Sequence, residues 1–359
     1  MDTTINERVR SLVQGRGIVQ KTLAAEIGMT TDALSRALGG YRGFSALELA
    51  RVAELLDVNV YELITGEQDP AKVRVAARHS FDHDTGTYSN GTFDSDDDHL
   101  EDIRLAYVQA YPKGDAPASV LPDSPDTVRG ALGEGFVRRL ADLLEQHLGV
   151  DVVRIPKLGT AYSMMLGNRA VIVVPASGNW FRENWDIAHE LGHLVDGSMG
   201  VGDVAEAAAN AFAASLLLPE SQVRAVEWRT LTVEALGELV WDWGVSTDAL
   251  RRRLSSLNVA VPAAVGEWLS VTTPQLLRGR SLPAARWGDL IARKREAAAR
   301  RFPTSLINEH ERAIAEGRLG KGTLAWMLGV EVDELEVAEP ELRRGTVDEL
   351  AGMLGLTSA

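Results

Sequence analysis

The stretch Asn184-Trp185-Asp186-Ile187-Ala188-His189-Glu190-Leu191-Gly192-His193-Leu194-Val195-Asp196 decides how this chain reads. Its centre has the spacing His-Glu-x-x-His. On a helix, His189 and His193 fall one turn apart on the same face, so both imidazoles can reach one metal ion. Glu190 stands beside them, placed to take a proton from water at such a metal. Trp185, Ile187, Ala188, Leu191, Leu194 and Val195 form an apolar stripe at helical spacing, which predicts a buried helix ending at Gly197. Upstream, residues 161–166 and 170–175 predict two β-strands about a turn at Gly167-Asn168. Such a pair offers an edge on which an extended peptide can lie, and Tyr162 on it is a candidate oxyanion donor. The competing interpretation is a core helix with two incidental histidines, in a chain that has only seven.

A catalytic zinc takes three protein ligands and keeps a fourth position open. No further histidine follows His193 until His310. Asp203 and Glu206 are the only acids between Asp196 and Glu220. Asp203 follows Gly200-Val201-Gly202 and suits a helix N-terminus. Glu206 begins an alanine-rich, apolar helical segment that Pro219 closes, where a carboxylate is costly unless paired or bound to metal. Glu206 is therefore the expected third ligand, the alternative being a solvated acid near a helix start.

The run Asp-Ile-Ala-His-Glu-Leu-Gly-His, followed by Glu206-x-x-Ala-Asn210-x-Phe212-Ala-x-x-Leu-Leu-x-Pro219, resembles the ImmA/IrrE metallopeptidases, bacterial and phage proteins that cleave helix-turn-helix repressors. The resemblance covers roughly residues 130–260. It implies His189, His193 and Glu206 as ligands of one catalytic Zn2+, a gluzincin-like set, with Glu190 as the acid/base. It also implies a protein substrate, a repressor whose loss turns on a stress, phage or mobile-element programme. Leu218 stands where a methionine before the proline is common, a change remote from the chemistry.

A second signal precedes it. Gln20 to Leu38 reads as helix, tight turn at Gly28, then helix, with Leu23, Ala24, Ile27, Leu34 and Leu38 facing inward. Thr4-x-x-Glu7 and Ser45-x-x-Glu48 are capping boxes for flanking helices. Residues 1–67 look like a five-helix Xre/Cro-like helix-turn-helix domain, whose second helix would enter the major groove of operator DNA. Arg36 and Arg42 are its expected DNA-facing cations, with Lys21 on a phosphate and Thr30, Thr31 and Ser35 as hydrogen-bonding neighbours. Against this, the segment carries seven Lys/Arg and nine Asp/Glu, a poor balance for phosphate neutralisation. The rival role is protein docking. The same pattern recurs at Leu239–Leu254, about Gly244, and more faintly at Leu324–Leu335, about Gly329.

The whole chain is 359 residues with a formal charge of −14, so the arginine runs 251–253 and 293–301 read as solvated faces rather than a nucleic-acid surface. There is no cysteine, which excludes disulfides and thiolate metal sites. The absence of an 18-residue apolar run or a secretory leader pattern leads us to expect a cytoplasmic protein with no membrane partner. From His79 to Asp102 there are eight acids and no Lys or Arg, the composition of a tether. His79 and His83 have ligand-like spacing within it. A short helix is expected at 100–111, a helix over 127–148, a first strand at 152–156 and a last helix capped by Thr346 and Glu349.

The expected fold is mainly α with a small β-sheet (α+β). Its parts are a helix-turn-helix domain (1–67), an acidic linker with one short helix (68–125), the metallopeptidase core with its own helix-turn-helix-like element (126–265) and a C-terminal helical region (266–359). Two functions fit. One is a zinc endopeptidase carried on a DNA-binding domain. The other is a regulator or antitoxin that binds DNA and a partner such as a toxin, with little proteolysis.

Overall fold

The computed structural model describes residues 4–56, 58, 60–66, 73–77, 80–82, 87–89, 93–197, 202–278 and 286–340. His79, His83, Thr346 and Glu349 lie outside them. The chain divides into two compact units, Met1–Lys72 and Val73–Ala359.

The first unit holds five helices: α1 (Ile5–Gly15), α2 (Gln20–Glu26), α3 (Thr31–Leu38), α4 (Ala46–Leu55) and α5 (Val60–Thr65). Both capping boxes form, Thr4 with Glu7 and Ser45 with Glu48. Gly28 sits at φ +73° between α2 and α3, where the left-handed turn favours a residue without Cβ. The inward residues named above meet Val9, Val13, Leu49, Val52 and Leu56 in one core. Truncating Leu23 or Leu34, both fully buried, would cost about 2–5 kcal/mol.

The second unit surrounds a sheet. β1 (Val73–Ala77), β2 (Ser80–Asp82) and β3 (Thr87–Ser89) lead to α6 (Phe93–Ala110), α7 (Pro125–Leu132) and the short α8 (Leu140–Leu143). Then come β4 (Asp151–Ile155), β5 (Tyr162–Leu166), β6 (Arg169–Pro175), α9 (Trp180–Asp196) and α10 (Asp203–Leu217). After α11 (Glu220–Arg224), the pair α12 (Val233–Trp243) and α13 (Thr247–Ser256) repeats the geometry of α2 and α3. Gly244 lies at φ +61°, and Ser246 caps α13 just as Thr30 caps α3. The unit continues through α14 (Ala263–Ser270), α15 (Thr273–Leu276), α16 (Trp287–Glu296), α17 (Thr304–Ala315) and α18 (Gly322–Leu328). In the faint third repeat, Gly329 (φ +68°) is followed only by a 3-10 turn.

Strand order is β1-β5-β6-β4, with β4 parallel to β6 and β5 antiparallel to both β6 and β1. Val152, Ala170, Ile172 and Val174 pack into the core that contains α9. Val153, Ile155, Tyr162, Met164, Val171 and Val173 face the other way, onto Ile103, Tyr107 and Leu306. Burial on both faces explains why β6 is a nearly unbroken apolar run. The free outer edge expected of the 161–166 strand is absent, because β1 lies along β5 from Val73↔Leu166 to Ala77↔Tyr162.

Two expectations change. The helix over 127–148 is broken after α7, since Gly133 and Gly135 take positive φ (+79° and +64°). The helix expected at 100–111 begins at Phe93, so part of the acidic stretch is folded. Asp96 explains this: its carboxylate accepts from the Gly159 N–H and the Tyr162 hydroxyl, while Leu100, Ile103 and Tyr107 pack on the sheet. The last described region also touches the sheet. Arg154 and Arg301 exchange backbone hydrogen bonds of 2.9 and 3.0 Å. The Arg301 guanidinium also donates to Glu145, Asp142 and the Val152 carbonyl. Among the described residues, no helix is long and apolar enough to cross a membrane.

Candidate metal centre

α9 is started by Asn179, whose side chain accepts from the Arg182 N–H, and is stopped by Gly197 at φ +64°. Ile187, Leu191 and Leu194 turn into the core, which orients His189, His193 and Glu190. α10 lies against α9 because Gly192 has no side chain. A Cβ there would stand 3.0 Å from the Ala209 Cα and 3.1 Å from the Phe212 Cβ. This contact brings Glu206 and Asn210, one turn apart on α10, over the histidines.

His189 and His193 place their Nε2 atoms 3.2 Å apart. The Glu206 carboxylate lies 3.3 Å from the first and 3.4 Å from the second. Donors at zinc-like bond lengths of 2.0–2.1 Å on a tetrahedron stand about 3.3 Å from one another, so the triangle has the size of one tetrahedral face. All three side chains are buried, with residue exposures of 0, 3 and 4 %, and Glu190 between them is at 0 %. They form a cluster able to hold a metal ion. Burial alone would raise the Glu206 carboxyl. The hydrogen bonds and charges of His189 and His193 outweigh it and bring Glu206 down to about 2.

Asn210 was not assigned a role from sequence. Its Oδ1 lies 3.2 Å from the Nδ1 of His189. An amide oxygen only accepts, so Nδ1 donates to it and Nε2 is the nitrogen that faces the other two groups, donating to Glu206 when protonated and offering a lone pair when the ring is neutral. The Glu206-x-x-x-Asn210 spacing on one helix face was the available signal. Tyr162 does not serve the site: its hydroxyl donates to Asp96 at 2.8 Å, in the layer of the sheet away from α9.

Residues 145–255 match the IrrE N-terminal-like domain, Peptidase_M78. The match spans β4 through α13 and contains the whole His-His-Glu cluster, so the metal-binding geometry and the M78 domain coincide. No curated protein and no solved structure matches the chain significantly. Residues 1–144 and 256–359 lie outside the M78 match.

The residues expected to face DNA sit in the first unit. Thr31, Ser35 and Arg36 are exposed on α3, and Lys21 is exposed on α2. Thr30 is committed to capping α3 by accepting from Ala33. Arg42 lies in the loop before α4. Its guanidinium pairs with Glu48, the acid of the α4 capping box, so its charge is already compensated. Asp32, one turn before Arg36, further dilutes the positive character of that helix.

Proposed function

We propose that this protein is a zinc-dependent endopeptidase carried on a DNA-binding helix-turn-helix unit. The observation that carries the enzyme reading is the buried triangle of His189, His193 and Glu206 with Glu190 beside it. A structural metal needs no general base, whereas hydrolysis does. His189, His193 and Glu206 would hold one Zn2+, which when bound supplies Lewis acidity toward water and a peptide carbonyl. The Glu190 carboxylate takes the proton of the attacking water and returns it to the departing amine nitrogen. Asn210 holds the tautomer of His189, and burial of the cluster keeps bulk water from competing.

The substrate we propose is a helix-turn-helix repressor, cleaved to release a stress, phage or mobile-element programme. Support comes from the exposed Thr31, Ser35 and Arg36 on α3, which would bring the peptidase to the operator where such a repressor is bound and raise its effective concentration. The deciding experiment combines metal analysis with a cleavage screen against co-encoded helix-turn-helix proteins. One zinc per chain, cleavage by the native protein, and metal retention without cleavage in Glu190→Gln are expected. Iron in place of zinc, or cleavage undiminished in Glu190→Gln, overturns this reading. For DNA, Arg36→Ala should weaken operator binding and flatten its salt dependence; an unchanged salt slope removes Arg36 from the interface.

A further inference from the structure

The M78 match supplies β4, β6 and β5 to the sheet, and these three strands have two outer edges. The β4 edge is met partway along by the Arg154–Arg301 backbone pair and by the half-buried Arg301–Glu145 contact beside it. The β5 edge is covered by a strand from outside the matched segment, β1, contributed by Val73–Ala77. β5 packs directly on α9, and Met165 on it reaches the core that α9 shares. Around α9, Glu190 follows His189 by one residue and so turns from the metal-facing side toward the side that Ile187 and Leu194 press on the sheet.

We infer that β1 is a resident occupant of the peptide-docking edge of the enzyme. An extended substrate segment adds to β5 in the place of Val73–Ala77 and must displace it. The inference rests on the endopeptidase reading for its consequence, though not for the binding it asserts. Strand addition draws affinity from main-chain hydrogen bonds, which any extended segment can make, and β1 already uses this pairing in the antiparallel direction. An occupant from the same chain competes at an effective concentration on the order of millimolar, so weaker extended peptides are kept out. Because β1 directly follows the helix-turn-helix unit, Met1–Lys72, binding events on that unit have a covalent route to the occupied edge.

The test uses the full chain and a fluorescent peptide with the sequence of residues 71–81. In an antiparallel ladder one of any two adjacent residues donates to its neighbour strand, so Val75→Pro together with Ala76→Pro must remove a β1 donor. This variant should bind the peptide ~10-fold or more tighter than the native protein, as expected when an intramolecular competitor is withdrawn. Metal content equal to native would show that the rest of the site is folded. A second variant, Arg74→Cys with Met165→Cys, joins register partners in a chain that has no other cysteine. Oxidation should abolish peptide binding and slow cleavage of β-casein, and reductant should restore both. Equal peptide affinity in native and proline variants, or full activity of the oxidised cross-linked protein, overturns the inference. Tight peptide binding by the proline variant with no cleavage of any co-encoded helix-turn-helix protein leaves the inference standing and removes the peptidase reading instead.

Discussion

Gly192 offers a sharp test of how the centre is built. Glycine inside a helix costs about 1 kcal/mol relative to alanine, so on propensity alone Gly192→Ala should stabilise α9. The new Cβ, however, would meet the Ala209 Cα at 3.0 Å, the Phe212 Cβ at 3.1 Å and the Ala209 carbonyl at 3.3 Å. Two of those three atoms are backbone, so α10 must move away by a few tenths of an ångström. Overpacking of this kind costs about 1–3 kcal/mol, which leaves the metal-free protein between unchanged and ~2 kcal/mol less stable. The larger effect should be on the metal. Ala209 lies between Glu206 and Asn210, and their 3.2–3.4 Å spacings to the histidines leave little slack. We expect metal affinity to fall about tenfold or more, the scale seen when supporting groups of a metal site are disturbed. Chelator-competition titration measures that fall, and thermal unfolding in EDTA measures the stability. A variant that melts higher in EDTA and binds zinc as tightly as native would refute the claim that close helix approach sets the ligand triangle.

Asn210→Ala should keep the fold yet lower metal affinity by about 10–100-fold, read by the same titration, because His189 loses the acceptor that fixes its tautomer. Without metal, Glu206 is held near 2 against an ordinary 4.5. Its stabilising contribution is therefore present above 4.5 and lost as pH falls from 4.5 toward 2. Acid unfolding of the EDTA-treated protein should show that loss, and Glu206→Gln should remove it. Arg154→Ala should destabilise the second unit by about 3–5 kcal/mol in urea, since it strands the buried Glu183 carboxylate and frees the Glu296 carbonyl.

The candidate metal centre was legible because its residues are local: His189, Glu190 and His193 occupy about one helical turn, and Glu206 is one of two acids in an apolar tract. The first two paired-helix turns were legible for a similar reason, since a left-handed glycine and a Ser/Thr cap mark each of them. Asn210 and Gly192 were not singled out, as their roles exist only where α10 crosses α9. The Arg42 pair with the Glu48 cap was not legible, because sequence does not show which side chain will settle there. The acidic stretch misled through composition. Asp96 is buried by acceptor geometry against Gly159 and Tyr162, partners more than sixty residues away. β1 was hidden for the related reason that strand partners are chosen across the chain.

The seam between Arg154 and Arg301 has a practical bearing on how this protein can be dissected. Cutting at the end of the matched segment, near residue 255, would remove Arg301 from the outer edge of β4 and leave the Arg154 amide and carbonyl without their backbone partners. Bare strands of that kind pair with whatever chain they meet, so such a fragment should precipitate on expression. The shortest soluble piece that keeps the His-His-Glu cluster should therefore extend at least through Arg301, well past the border that homology alone would draw.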